Sequence, residues 1–354
     1  MKQFKRIGVL TSGGDAPGMN AAVRAVTRAA LSYGVEVVGI YKGYSGLIRG
    51  DIKPLGFRDV SNIINKGGTV LYSDRCPEFK TEEGMNAAVE TCRKFGIDGI
   101  VAIGGDGTFR GATDLTAHGV PCVGIPATID NDITSTDNTI GFDTAMNTVI
   151  ELIDKLRDTC ESHARCNVVE VMGRNAGDIA LNTGIASGAT AAIIPEFDFD
   201  TDKLCEKIEE ARRIGKRNFI VIVSEGLGND YAPALAKKIE SETGIETKFA
   251  RFAHIVRGGN PNLYDRVLAS RLGVQAVEEL IKGNSNLVMC EIDGNIVSRD
   301  INYALILDRM YKGKLKDGDL DAFSTEEIKK MKSDIARKRK QMELLKAVSD
   351  TINL

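Results

Sequence analysis

The 354-residue chain has no tryptophan, only three histidines and only eight prolines. His118, His163 and His254 are too few and too scattered for a histidine-based metal site. The seven cysteines (76, 92, 122, 160, 166, 205 and 290) are odd in number, and no two are spaced C-x-x-C. Neither a disulfide framework nor a structural zinc site is expected, and a reducing cytoplasm fits best. No apolar run reaches the ~18 residues of a membrane span. A formal net charge of −3 lacks the basic excess that nucleic-acid or membrane-surface binding draws on. The start, Met1 to Arg6, is basic but leads into a strand pattern rather than a signal-peptide core. Low-complexity tracts and short repeats are absent as well. What remains is ordinary globular composition, 43% hydrophobic and 27% charged, with glycine high at 37. At about 150 residues per domain the length suggests two domains.

Short apolar runs alternate with longer amphipathic ones, which predicts βαβ units and parallel sheet. Strands are expected at 7–10, 35–41, 99–103, 120–125, 168–172, 191–194 and 219–223. Helices are expected at 19–33, 82–95, 143–158, 202–214 and 265–282. Asp293-Gly294 between apolar runs at 287–292 and 296–297 reads as a hairpin turn. Ser324-Thr325-Glu326-Glu327 reads as a capping box opening a last helix. Ile328, Met331, Ile335, Met342, Leu345 and Ile352 there fall near heptad spacing, interrupted by Lys338 and Ser349. Such a helix packs either on its own chain or between subunits.

The segments just past the strands carry the chemistry, because open α/β sheets bind ligands beyond the carboxyl ends of parallel strands. Thr11 to Gly18 is glycine-rich and precedes a helix, so it is either a phosphate loop or a plain turn. It matches neither the P-loop pattern nor the dinucleotide fingerprint. Gly104-Gly105-Asp106-Gly107-Thr108 sets one carboxylate among glycines, which suits a polyphosphate and its Mg²⁺; a capped turn is the plainer reading. Thr128-Ile129-Asp130-Asn131-Asp132 offers two carboxylates two residues apart, one of which could take a proton from a hydroxyl. Arg75, Arg165, Arg174, His254 and Arg257 stand near strand ends or glycines, where cations either capture phosphate or form surface ion pairs.

Taken together, Ser12-Gly13-Gly14-Asp15, Arg75-Cys76-Pro77-Glu78-Phe79, the Gly104 and Thr128 segments, Met172-Gly173-Arg174 and His254 to Gly259 resemble the bacterial ATP-dependent 6-phosphofructokinases. The resemblance runs collinearly from about residue 6 to about residue 311. It implies two Rossmann-like three-layer α/β lobes with mostly parallel sheets and an active site in the cleft between them. The expected division is 1–141 plus 256–306 for the ATP lobe and 142–255 plus 307–320 for the fructose 6-phosphate lobe. Residues 321–354 form a C-terminal helical extension of unassigned role. The implied reaction is phosphoryl transfer from MgATP to the 1-hydroxyl of fructose 6-phosphate.

The resemblance makes Asp130 the base, with Thr128, Asp132 and Arg174 in support and Asp106 on Mg²⁺. Gly14, Tyr44, Arg75, Cys76, Gly105, Asp106, Gly107 and Thr108 line the ATP site. Thr128, Ile129, Asp130, Met172, Gly173, Arg174, Glu225, His254 and Arg257 hold the sugar phosphate. Arg165 and Lys248 reach that phosphate from a neighbouring subunit, which implies self-association, usually a homotetramer. No nucleic-acid or membrane partner is implied. Arg24, Arg28, Arg157 and Lys216 match the basic positions of an effector pocket. Phe57, Asn62, Thr190 and Ile214 depart from that pocket, so ADP activation is expected to be weak or altered. Pyrophosphate-using relatives carry Asp at the position of Gly107 and Lys at that of Ala127, so ATP is the expected donor. ATP-type relatives normally carry Gly at 127, and Lys248 replaces an Arg. A pyrophosphate-dependent enzyme and a catalytically silent regulatory subunit are the alternative readings.

Overall fold

The computed structural model of the chain describes residues 4–353; Met1, Lys2, Gln3 and Leu354 lie outside the described residues. The elements run β1 (Arg6–Ser12), α1 (Met19–Ser32), β2 (Glu36–Ile40), α2 (Gly43–Arg49), β3 (Ile52–Pro54), α3 (Glu82–Phe95), β4 (Gly99–Gly104), α4 (Asp106–Ala117), β5 (Cys122–Pro126) and α5 (Phe142–His163). They continue with β6 (Cys166–Val171), α6 (Asp178–Ala186), β7 (Ala191–Ile193), α7 (Thr201–Arg213), β8 (Phe219–Ser224), α8 (Tyr231–Thr243) and β9 (Thr247–Phe252). The last are α9 (Leu263–Lys282), β10 (Leu287–Ile292), β11 (Asn295–Asp300), α10 (Ile301–Tyr311) and α11 (Thr325–Ile352).

The chain divides into two compact units. Unit 1 holds residues up to Ile129, Ile133–Thr144 and Arg257–Ile335. Its sheet has the order β11-β10-β5-β4-β1-β2-β3, antiparallel only at the two edge pairs. Strand β4 is buried along its whole length, as expected where helices cover both faces of a parallel sheet. Leu47, Met85, Phe109 and Leu305 place α2, α3, α4 and α10 in one core layer, while α1 packs on α9 across the other face. The chain leaves β1 for β2 on one side and returns to β4 on the other. That is a topological switch point, where α/β sheets bind ligands.

Unit 2 holds Asp130–Asp132, Ala145–Val256 and the described residues from Ala336 onward. Its four strands are all parallel, in the order β7-β8-β6-β9. Val168 and Val221 meet Leu204, Ile208, Leu235 and Ile239 of α7 and α8 on one face, and α6 packs against β7 and β8.

Residues 307–320, expected with the sugar-phosphate lobe, belong instead to unit 1. Leu307 of α10 is fully buried with Tyr303, Met331 and Ile335, and Arg309 pairs with Asp319 at 2.8 Å, so this stretch is sealed against its own neighbours. Residues 321–354 do not form a separate body either: α11 starts in unit 1 and ends in unit 2. The capping box is present, with Ser324 N donating to Glu327 Oε2 at 2.8 Å and Glu327 N to Ser324 Oγ at 3.2 Å. Met331, Ile335, Met342 and Ser349 are buried, so α11 packs on its own chain. Leu344, Val348 and Ile352 form an exposed apolar row on its other side. All seven cysteines are free. Among the described residues no helix is long and apolar enough to cross a membrane.

Candidate active site

In unit 1 three loops lie side by side, because Ser12 pairs with Gly104 and Gly104 with Pro126 at the strand ends. Helices α3, α7, α9 and α10 each begin on a side-chain cap, at Thr81, Asp200, Asn262 and Asp300. By contrast, α1 and α4 begin on Gly18 and Gly105, with no capping side chain. Met19 N and Thr108 N bond back to Ala16 O and Gly105 O, no side chain caps either turn, and the helix dipole favours an anion at both starts. A Cβ built on Gly107 meets nothing within 4 Å, so the space in front of this turn is open. Asp106 in the first turn of α4 pairs with Arg110 at 2.5 Å. Gly105 and Thr128 are neighbours: a Cβ on Gly105 stands 4.0 Å from Thr128 Cβ. Thr128 is steadied by its carbonyl, which accepts from Thr139 Oγ1 at 2.6 Å.

The first glycine loop is tied to the segment that carries Arg75. Ser73 Oγ donates to Gly13 O, and Thr11 Oγ1 donates to Tyr72 O at 2.8 Å. Arg75 is exposed, while Cys76 is half-buried against the core. Arg257 lies against Gly14, where a Cβ would come 2.2 Å from its guanidinium. Its buried Nε has no hydrogen-bond partner among the described residues. The structure thus groups Arg257 with the first glycine loop of unit 1. Tyr44, expected to line the ATP site, is buried: it stacks on Phe79 at 4.0 Å and donates its hydroxyl to Thr108 O at 2.6 Å. It supports the Gly104 loop from behind.

In unit 2 the loops after β6, β8 and β9 are likewise adjacent, since Val171 pairs with both Ser224 and Phe252. Asp130 is 1% exposed, and its Oδ2 sits 3.0 Å from Arg174 Nε. Arg174 has φ +52° and Asn131 φ +50°, a region non-glycine residues seldom adopt and one that concentrates at functional sites. Glu225 fixes the Arg174 turn: Oε1 accepts from the N–H of Arg174 at 2.8 Å and of Gly173 at 3.2 Å. Met172 and Ile129 are buried, and His254 is exposed in a short 3₁₀ turn. Arg165 Nε and Lys248 Nζ share the carboxylate of Glu246, at 2.6 and 2.8 Å.

A profile of the phosphofructokinase family matches residues 6–280. A Bacillus pumilus protein named ATP-dependent 6-phosphofructokinase is 56% identical over 298 residues, which are 84% of this chain and 93% of that one. The chain belongs to the phosphofructokinase family. A Clostridium acetobutylicum protein of the same name is 52% identical over 314 residues, 89% of this chain and 98% of its own. Among solved structures, phosphofructokinase from Saccharomyces cerevisiae aligns with 94% of this chain at TM-score 0.82 and 34% identity; the chain spans 50% of that longer chain. A pyrophosphate-dependent phosphofructokinase from Marinobacter aquaeolei aligns with 84% of this chain and 83% of its own, at TM-score 0.74 and 23% identity, a likeness of fold alone.

The basic residues matched to the family's effector pocket lie two in each unit. In unit 1, Arg28 Cζ is 5.6 Å from the ring centre of Phe57, so the aromatic residue that departs from the family pattern packs on the cation. Burial and the charge of Arg28 lower the pKa of Arg24. In unit 2, Arg157 donates to Asn218 Oδ1 at 2.9 Å and to Ser187 O. Burial and Arg157 together pull down the pKa of Lys216. The hydroxyl of Thr190 is buried with no partner among the described residues, and Ile214 is 84% exposed.

Sequence reasoning overlooked Arg110, Glu246, Asp178 and Glu196. Arg110 was legible as the i+4 partner of Asp106. Glu246 precedes Lys248 by two residues at the start of β9, which puts both on one face. The Glu246 carboxyl is held down at about 2, from an ordinary 4.5, by hydrogen bonds from Lys248 and then Arg165. A lowered carboxyl stabilises the fold above its unfolded value and loses that contribution as pH falls toward the folded one. The gap in unfolding midpoint between parent and Glu246→Gln is therefore expected to be full above pH 4.5 and to close toward pH 2. Thermal melts across that range check it; a gap independent of pH would refute the assignment.

Proposed function

We propose that the chain transfers the terminal phosphoryl group of ATP to the 1-hydroxyl of fructose 6-phosphate, giving fructose 1,6-bisphosphate and ADP. The observation that carries this reading is the buried Asp130 carboxylate, ion-paired at 3.0 Å to an Arg174 whose own backbone is pinned by Glu225. The uncapped starts of α1 and α4 take the ATP phosphates through backbone N–H groups. Gly107 leaves room for the phosphate nearest the nucleoside, and Arg75 and Arg257 add positive charge. Arg174 and His254 take the sugar phosphate and the transferring group. Arg165, half-buried, and Lys248, exposed, are both paired to Glu246 and serve the site of a neighbouring subunit in a homotetramer.

Asp130 accepts the proton of the attacking hydroxyl. Phosphoryl transfer passes through a loose transition state, so the catalytic work is positioning and charge stabilisation rather than bond-making by the protein. Mg²⁺ fits this chain as a passenger of the nucleotide. Among the described residues no group of three or more acids, histidines or cysteines could hold a metal unaided. Asp106 at the phosphate turn supplies one carboxylate, which suits an ion bound mainly through phosphate oxygens and water. When bound, Mg²⁺ neutralises charge on the transferring phosphate. Free thiols at all seven cysteines suit a cytoplasmic setting.

A coupled assay of the purified chain tests donor and regulation together. Turnover is expected with MgATP and not with pyrophosphate, and ADP is expected to alter it weakly. Turnover with pyrophosphate alone would return the donor to the alternative reading. Inactivity of the pure homomer with both donors would favour a silent subunit.

A further inference from the structure

The heptad row of α11 is broken by Lys338, and the structure shows what the lysine does there. Its half-buried side chain brings Nζ to 3.4 Å from the carbonyl oxygen of Asn131. Asn131 lies between Asp130 and Asp132, the two carboxylates of the reacting segment. It has φ +50°, and its Nδ2 stands 3.4 Å from Asp178 Oδ1 at the start of α6. Glu196 completes the cluster by accepting from Gly177 N at 2.8 Å. Asn131 is thus met by α6 at its side chain and by α11 at its backbone carbonyl, each across a long hydrogen bond.

We propose that Lys338 is a positioning residue for the reaction: it fixes the peptide between Asp130 and Asp132 and thereby aims the Asp130 carboxylate. Three observations support this. An apolar residue is what the helix pattern asks for at this place, and a cation on a packing face costs stability unless it is used. The residue held has a left-handed backbone, which asparagine tolerates better than most residues but which still gains from being held in place. The positive charge also faces carboxylates that burial pushes up, Asp178 and Glu196, and it pulls both back toward the ionised form. The family profile ends at residue 280, so it assigns nothing to this helix.

The inference rests on Asp130 as the base, and its test separates the two claims. Lys338→Met, Lys338→Arg and Asp130→Ser are purified, and kcat, both KM values and the unfolding midpoint are measured for each. Lys338→Met is expected to lose about tenfold in kcat, about 1.4 kcal/mol in the barrier, with the KM for ATP unchanged. Lys338→Arg, which keeps a charged donor, should retain most of the parent kcat at a similar midpoint. Parent kcat in Lys338→Met alongside an inactive Asp130→Ser overturns the role of Lys338 alone. Equal losses in both lysine variants with a common drop in midpoint also overturn it, since packing then explains the effect. Parent kcat in Asp130→Ser overturns the reading beneath it. Should Lys338→Met fail to fold, Lys338→Gln, a neutral donor, is measured in its place with the same loss expected.

Discussion

Replacing Asp130 with serine is expected to lower kcat by at least ~10²-fold and up to ~10⁴-fold, the range general-base catalysis supplies. Neither KM is expected to change much. The carboxylate is nearly inaccessible, paired to Arg174 on one side, and sits on a chain segment held by neighbours of its own unit. Serine is smaller and neutral, so it removes the proton acceptor while leaving the phosphate-binding cations in place. Loss of a group needed only as the hydroxyl reacts lowers kcat and kcat/KM together. Steady-state kinetics with fructose 6-phosphate and MgATP decide the matter. Near-parent turnover would exclude Asp130 as the base.

The second large effect is expected at residue 107. Gly107→Asp meets no protein atom within 4 Å at its Cβ, so the fold should tolerate it. The new carboxylate would project into the space assigned to the nucleotide phosphates. Like charges set side by side cost several kcal/mol, which corresponds to about 10²–10³ in kcat/KM for ATP. Binding of fructose 6-phosphate should be largely preserved, because Arg174 and His254 belong to the other unit. Titration of that sugar phosphate, together with the ATP kinetics and a circular dichroism spectrum, provides the check. A variant that keeps its ATP kinetics would show that the phosphates do not pass Gly107.

The parts of the fold legible in the sequence were those where an apolar run ends in glycine, proline or a polar residue. Strands β1, β4, β5, β6 and β8 were readable for that reason, and so were the loops at their carboxyl ends. Helix α4 was not, because it begins inside the Gly104 segment and carries Gly107, Gly111 and several β-branched or polar residues of low helix propensity. Burial of Phe109, Ala112 and Leu115 holds it as a helix nonetheless. Strand β9 was hidden by the exposed Lys248 and Arg251, which break its apolar pattern; its pairing with β6 makes it a strand. Among site residues, composition and spacing identified Asp106, Asp130 and Arg174 as types, and the family resemblance supplied their roles. The burial of Tyr44 and the place of Arg257 against Gly14 depend on long-range packing that no local pattern encodes. Lys338 looked like a flaw in a heptad because its partner stands 207 residues away.

The path of α11 has a consequence for how the molecule is made. Unit 1 includes α11 as far as Ile335, and unit 2 includes the rest of that helix. A ribosome that has delivered the first 300 residues has therefore released neither unit in finished form. Domains that are continuous in sequence fold one after another as they emerge. Here the nascent polypeptide must wait, with both units still short of their share of α11, until the residues beyond Ile335 have emerged. Chaperone dependence during synthesis should accordingly persist until α11 has emerged.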